Sequence, residues 1–135
     1  MALNRQLTGN AGRYYTCYQL SLLGWNVRPT ARNARGVDIT AYSQDATRKL
    51  TIQVKALTKR DAVPLGTSLE KVMGGFWVEM NKLTSSAPSV FIMLPAEVKS
   101  LAQRREKEGR LSFWLQLTSY DQESFKEKWE CIGHG

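Results

Sequence analysis

Residues 36–55 read GVDITAYSQDATRKLTIQVK, and their pattern decides the fold class. Apolar residues alternate with polar ones over 37–42 and again over 50–57. A period of two is typical of half-buried β-strands. The polar stretch 44–47 between the two runs predicts a four-residue turn. The sequence therefore predicts an antiparallel hairpin at this point.

The register of that hairpin predicts a cluster of polar side chains. A turn at 44–47 makes the numbers of opposed residues sum to 91, so Asp38 stands across from Gln53, and Gly36 across from Lys55. Opposed side chains of an antiparallel pair share a face, with Cβ atoms about 4.5–5.5 Å apart. Asp38, Gln53 and Lys55 are therefore expected to converge, with open space beside them at Gly36.

These three side chains permit two interpretations. A carboxylate and an amide oxygen are hard ligands suited to Mg²⁺, which usually takes one or two protein ligands and completes its shell with water and phosphate. A lysine beside them can orient a water molecule and offset charge that develops on a phosphate. The other interpretation is the polar face of an ordinary hairpin, with Asp38 and Lys55 as a weak pair.

Composition indicates a single domain over residues 1–135, with 42% hydrophobic residues. No apolar run approaches the roughly 18 residues of a membrane span, and the first ten residues lack the apolar core of a secretory signal. The two cysteines are far apart, which favours a reducing cytoplasm over a disulfide framework. The single histidine, His134, stands at the end of the sequence and argues against a histidine-based metal site.

The positive charge is confined to one half of the chain. Residues 1–60 hold ten Lys/Arg and two Asp/Glu, a net +8, whereas residues 61–135 hold nine and ten, a net −1. A one-sided positive field attracts nucleic acid, although a merely basic surface gives the same count. The cations expected to contact phosphates are Arg32, Arg35, Lys59 and Arg60.

The remaining pattern predicts an α/β domain with one mixed sheet flanked by helices. A helix is predicted over 9–24, with an apolar stripe, Tyr18 and Leu22 included, facing the core. Strands are predicted over 25–29, 76–82, 89–94 and 111–117, and the apolar run at 89–94 indicates a central strand. Helices are predicted over 95–108 and 121–129, and residues 58–75 are predicted to be mostly loop.

A glycine-containing helix, then Gly36-Val37-Asp38-Ile39, then Ile52-Gln53-Val54-Lys55 resembles the PD-(D/E)XK superfamily of restriction-endonuclease-like proteins. The similarity covers about residues 8–57 and is greatest to the branch with glutamine in the E-x-K position, as in Mrr-type restriction nucleases and homing endonucleases. The resemblance implies that Asp38, Gln53 and the Val54 carbonyl hold Mg²⁺ or Mn²⁺ and that Lys55 is the catalytic lysine. It also implies DNA as substrate and a possible homodimer.

One departure from the family pattern bears on function. Many relatives carry Gly-Glu on the first helix, and this chain carries Gly12-Arg13. A cation there repels a metal ion, and Arg13 is a candidate modulator of the site. Two functions therefore follow: a Mg²⁺-dependent DNA endonuclease, or a catalytically degenerate domain that binds nucleic acid or a protein partner.

Overall fold

The computed structural model describes residues 3–30 and 36–135, so Arg32 and Arg35 fall outside the described residues. The helices and strands, in chain order, are α1 (Arg5–Leu22), β1 (Asn26–Pro29), β2 (Ile39–Tyr42), β3 (Lys49–Ala56), β4 (Val63–Gly66), β5 (Phe76–Asn81), β6 (Ser89–Met93), α2 (Pro95–Leu101), β7 (Gln103–Lys107), β8 (Arg110–Leu115) and α3 (Leu117–Tyr120). Short 3₁₀ turns lie at Leu69–Lys71 and Trp129–Cys131.

The hairpin forms in the predicted register, with Ile39 opposite Ile52 and the Ser43 amide donating to the Arg48 carbonyl. Asp45 fixes the turn, because its Oδ1 accepts hydrogen bonds from the Ser43 hydroxyl and from the amide and hydroxyl of Thr47. These bonds to the charged form lower the pKa of Asp45 to about 2. A turn locked in this way leaves little freedom for the strands to slip.

A five-stranded mixed sheet forms around the hairpin, in the order β1-β2-β3-β5-β6. Strand β5 runs parallel to β3, and the other neighbours are antiparallel. The predicted central strand, β6, is buried along its whole length but lies at the end of this order. It is covered instead by the segment 125–127, since the Ile92 amide donates to the Phe125 carbonyl and the Glu127 amide donates to the Val90 carbonyl, each at 2.8 Å.

Helix α1 packs on β3 through small residues rather than through the predicted stripe. A Cβ on Gly12 would lie 2.5 Å from the Ala56 Cβ, so the helix backbone sits directly against the sheet. Tyr18 and Leu22 are 60% and 65% exposed, and their predicted burial was wrong. Such close approach requires small side chains on the inward side of the helix. The buried residues of α1 are Thr8, Gly12, Thr16, Cys17 and Leu20.

The second half of the chain differs most from the predicted elements. The predicted helix over 95–108 ends at Leu101, and residues 103–107 form β7. A second, three-stranded sheet, β4-β8-β7, uses β7 together with part of the predicted loop 58–75. The predicted helix over 121–129 is absent from the described residues, because this segment lies along β6 in its place.

Two hydrophobic clusters lie on opposite faces of the large sheet. The first, beside α1, contains Leu20, Ile39, Ile52, Val78 and Ile92, among others. The second, under the small sheet, α2 and α3, contains Trp77, Phe91, Val98, Leu115 and Tyr120, among others. The predicted α/β fold with a mixed sheet flanked by helices is confirmed. None of the helices in the described part of the chain is long and apolar enough to cross a membrane.

Candidate active site

Asp38 lies immediately before β2, where the hairpin register breaks. The Asp38 amide donates to the Ile52 carbonyl at 2.9 Å, so Asp38 and Ile39 both stand against Ile52. Two residues facing one is the arrangement of a β-bulge, which re-aims a side chain. The carboxylate accepts a hydrogen bond from the Val54 amide at 2.7 Å. Asp38 is thereby fixed on the backbone of β3, between Gln53 and Lys55 in sequence.

The bulge directs Asp38 towards helix α1. Asp38 lines a cavity of about 210 Å³ together with Val54, and the remaining lining residues come from the helix. Those residues are Arg5, Gln6, Gly9, Asn10 and Arg13. The helix contributes no carboxylate to this cavity, because residues 5–22 contain no Asp or Glu.

Arg13 lies in the same cavity as Asp38 but makes no ion pair with it among the described residues. Its guanidinium donates to the Thr30 carbonyl at 3.5 Å and to the Asn10 Oδ1 at 3.3 Å, and it lies 5.6 Å from the centre of the Tyr14 ring. The positive charge therefore faces the cavity without neutralising the carboxylate.

Gln53 is buried and holds a neighbouring loop. Its Nε2 donates to the Lys71 carbonyl at 3.1 Å, and its Oε1 accepts from the Met73 amide at 3.2 Å. The space expected beside Gly36 is filled, because a Cβ there would lie 3.2 Å from the Gln53 Nε2 and equally close to Met73. Gln53 thus connects β3 to the segment 71–73, and both ends of its amide are engaged.

Lys55 shares its surroundings with Gln53 and not with Asp38. Gln53, Lys55 and Lys71 line two further cavities, of about 310 and 490 Å³. The structure therefore brings Gln53 and Lys55 together, as predicted, and adds Lys71. The expected convergence of the Asp38 side chain with them is not observed, since the bulge turns its carboxylate to the α1 side of β3.

Glu79 is a buried acid that the sequence reasoning missed. It is the register partner of Lys55 in the parallel pair β3–β5 and is fully buried. Neither carboxylate oxygen has a hydrogen-bond partner in the described part of the chain. Burial raises the pKa of Glu79 well above its ordinary value, and the charge of Lys55 opposes that rise. The available signal was a glutamate inside the otherwise apolar run FWVEM.

Glu79 lies within a larger buried polar group. The Asn81 amide donates to the Tyr120 hydroxyl at 3.2 Å, and that hydroxyl donates to the Asp61 carbonyl at 2.6 Å. Burial, with the nearby charge of Glu79 as a smaller contribution, raises the pKa of Tyr120 to about 12. Tyr120 therefore serves as a neutral hydrogen-bond donor at physiological pH.

The residues predicted to contact phosphates differ in their exposure and in their ion pairing. Lys59 is exposed just beyond β3. Arg60 is ion-paired with Asp121, so part of its charge is already offset. Lys71, which the sequence reasoning also missed, places its charge in the same cavities as Lys55. No sequence signal marks Lys71, because its place beside β3 depends on how the loop folds back.

The donors available for a metal ion are few. Among the described residues no three His, Cys, Asp or Glu side chains cluster in a way that could hold a metal. The cavity at Asp38 offers one carboxylate beside the Val54 backbone, and this fits an ion such as Mg²⁺ that needs only one or two protein ligands. The amide oxygen of Gln53 already accepts a hydrogen bond from Met73 and fits that role less well.

Solved structures share this architecture. No protein-family model matches the chain, and no curated protein matches it. The Holliday junction resolvase Hjc of Archaeoglobus fulgidus is 17% identical with a TM-score of 0.63, over 94% of this chain and 97% of the resolvase. The bacterial homing endonuclease I-Ssp6803I is 12% identical with a TM-score of 0.65, over 96% of this chain and 93% of the endonuclease. The chain therefore has the fold of restriction-endonuclease-like nucleases.

Proposed function

We propose that this chain is a divalent-metal-dependent endonuclease that hydrolyses phosphodiester bonds in DNA, built on the glutamine variant of the PD-(D/E)XK site. One observation carries the proposal. The Asp38 carboxylate accepts a hydrogen bond from the Val54 amide at 2.7 Å, and Val54 lies between Gln53 and Lys55 in the sequence. Lys55 is the next residue after Val54 but lines a different cavity from Asp38, so the proposal requires DNA that contacts both cavities along β3.

Each residue then has a distinct part in hydrolysis. Asp38 and the Val54 backbone would hold Mg²⁺ or Mn²⁺, which supplies an activated water and polarises the phosphate. Lys55 offsets negative charge as it develops on the phosphate oxygens and orients the attacking water. Gln53 holds the 71–73 segment, which keeps Lys71 in the cavity as a second cation for the phosphate.

DNA is the proposed substrate because of charge and likeness together. The residues before 61 carry a net +8, and Lys59 is exposed four residues after Lys55 in the sequence. Arg32, Arg35 and Arg60 are proposed as further phosphate contacts. The two solved neighbours are a resolvase of Holliday junctions and a homing endonuclease, and this likeness supports DNA rather than RNA.

Two further proposals follow from a cleavage role. We propose a homodimer, because one site cuts one strand and a second copy supplies the second cut. The exposed aromatic face of α1 at Tyr14 and Tyr18 supports a protein contact there. We also propose a cytoplasmic location, which the free cysteines Cys17 and Cys131 support.

A specific observation favours the rival function, a non-cleaving domain that binds nucleic acid or a protein partner. Helix α1 has no acid, and Arg13 places a positive charge in the cavity of Asp38. A cation there weakens the binding of a metal ion by direct repulsion. In this rival function the fold and the basic surface persist, and the metal does not bind.

A cleavage assay separates the two functions. Labelled four-way junction, linear duplex and single-stranded DNA are incubated with the protein in Mg²⁺, in Mn²⁺ and in EDTA. The proposed enzyme cuts at least one substrate only with metal, and Asp38→Ala and Lys55→Ala abolish the cut. Lys99→Ala, an exposed lysine on α2, is the matched control and leaves the rate unchanged. Metal-independent or Asp38-independent cleavage would refute the proposed site, and binding without cleavage would support the rival function.

A further inference from the structure

The β7–β8 hairpin is a charged ribbon at the edge of the small sheet. Its sequence, QRREKEGR over residues 103–110, holds four cations and two acids. Every residue of β7 is exposed, and the turn has Glu108 and Gly109 at φ values of 52° and 75°. Positive φ values at both central residues are typical of the tight two-residue turns that join twisted antiparallel strands. The ribbon takes no part in the site described above.

The register of the ribbon sorts its charges onto different faces. Arg105 pairs with Ser112, and Lys107 pairs with Arg110, so the three cations share one face. Arg104 and Glu106 lie on the other face, where they form an ion pair of 3.4 Å. We call Arg105, Lys107 and Arg110 the basic ribbon face.

No acid of either strand lies on the basic ribbon face; Glu108 is at the turn. This arrangement is unfavourable in the protein by itself. Lys107 and Arg110 are directly opposed, and like charges directly opposed across a sheet destabilise it. The Arg105 guanidinium lies 5.7 Å from the centre of the Trp114 ring, a cation–π distance that restrains its orientation. Local interactions that disfavour folding mark sites retained for function. A polyanion on this face would relieve the repulsion.

The basic ribbon face is continuous with the candidate active site. Trp114, on that face, pairs with Pro64 of β4, and opposed residues point to the same side of the sheet. Pro64 lines the cavity of Gln53 and Lys55. Strand β7 lies two strand spacings from β4, about 10 Å. The three cations lie two and four residues further along β7 and β8 than the level of Pro64, so a duplex at the cavity passes over them when it runs along this face.

We propose that the basic ribbon face binds the phosphate backbone of duplex DNA that lies across the cavity of Lys55. The inference rests on the proposed function for its choice of DNA. The ribbon adds three cations from a half of the chain whose net charge is −1. The strand register gathers these cations on one face, and the net charge of this half of the chain does not reveal that arrangement.

The test measures binding without cleavage. Fluorescence anisotropy with a labelled duplex in EDTA gives the dissociation constant of wild type and of Arg105→Gln/Lys107→Gln/Arg110→Gln from 50 to 200 mM salt. Each lost phosphate contact flattens the slope of log K against log salt by about 0.9. Over this fourfold range the wild type is therefore expected to lose about 40-fold more affinity than the triple variant.

Single substitutions supply the matched control. Arg105→Gln and Arg104→Gln remove the same charge from neighbouring residues on opposite faces. Arg105→Gln is expected to flatten the slope by about 0.9 and Arg104→Gln to leave it unchanged. Equal effects of the two, an unaltered slope in the triple variant, or no binding by wild type at the lowest salt would overturn the proposal. If binding depends on the ribbon but the DNA is not cleaved in Mg²⁺, the proposal for the basic ribbon face stands and the proposed nuclease activity is refuted.

Discussion

Gln53→Glu restores the acid that the E-x-K pattern prescribes, and the structure predicts that it destabilises the fold. Gln53 is 4% exposed, and its amide both donates to the Lys71 carbonyl and accepts from the Met73 amide. An ionised carboxylate keeps the second bond and cannot make the first. One oxygen of the carboxylate would also face the Lys71 carbonyl oxygen, and two acceptors repel each other.

The magnitude follows from those two hydrogen bonds. A buried carbonyl that loses its donor costs about 1–3 kcal/mol. The bond from the Met73 amide becomes charge-assisted and returns about 1 kcal/mol. The difference is about 0–2 kcal/mol, and repulsion between the new carboxylate oxygen and the Lys71 carbonyl moves the net loss of unfolding free energy towards the upper end of that range at neutral pH. The protonated acid has an O–H that can donate to Lys71, so the loss shrinks as pH falls.

Urea unfolding followed by tryptophan fluorescence measures this loss, in EDTA at pH 7.5 and at pH 5. Gln103→Glu, on the exposed strand β7, introduces the same charge and is expected to change the stability by less than about 0.5 kcal/mol. A Gln53→Glu protein as stable as wild type at pH 7.5, or one no less stable than Gln103→Glu, would refute the stabilising role assigned to the hydrogen bonds of Gln53 with Lys71 and Met73.

Two further substitutions test the packing and the buried acid. Gly12→Ala places a Cβ 2.5 Å from that of Ala56 and should lower the unfolding free energy by about 1–3 kcal/mol. Gly9→Ala is the control and should not lower it, because the space around Gly9 is open. Equal urea midpoints for the two variants would contradict this. Glu79→Gln should gain stability over wild type as pH rises above 4.5, by up to about 1.4 kcal/mol per pH unit. The reason is that burial raises the pKa of Glu79 in the folded protein, so the wild type loses stability as pH rises, whereas glutamine does not ionise. Stability curves of the two proteins that run parallel against pH would contradict this.

The hairpin was predictable because its determinants are local. Alternation over 37–42 and 50–57 and the turn at Asp45 fix the pairing of Ile39 with Ile52. The bulge at Asp38 was not, because it depends on a bond to the Ile52 carbonyl that no residue pattern encodes. The family resemblance named Asp38, Gln53 and Lys55 as site residues but gave no indication of the side of β3 from which Asp38 approaches.

The second half was less predictable because its elements depend on distant partners. Residues 103–107 carry charges that suit a helix surface equally well, and only pairing with β8 makes them a strand. The segment 125–127 replaces a sixth strand beside β6 through two backbone hydrogen bonds. Lys71 and Glu79 reach Lys55 through a loop and a parallel crossover respectively, and contacts of this kind leave no periodic signal.

The central claim is a divalent-metal site at Asp38, and calorimetric titration of Mn²⁺ tests it directly. We expect wild type to bind one ion, Asp38→Ala to bind none, and Arg13→Glu to bind more tightly than wild type, because the substitution replaces a cation in the same cavity with an anion. Arg28→Glu, the same reversal on exposed β1, is the control and should match wild type. No binding heat from either wild type or Arg13→Glu would contradict the metal site and leave the chain a nuclease fold without nuclease chemistry.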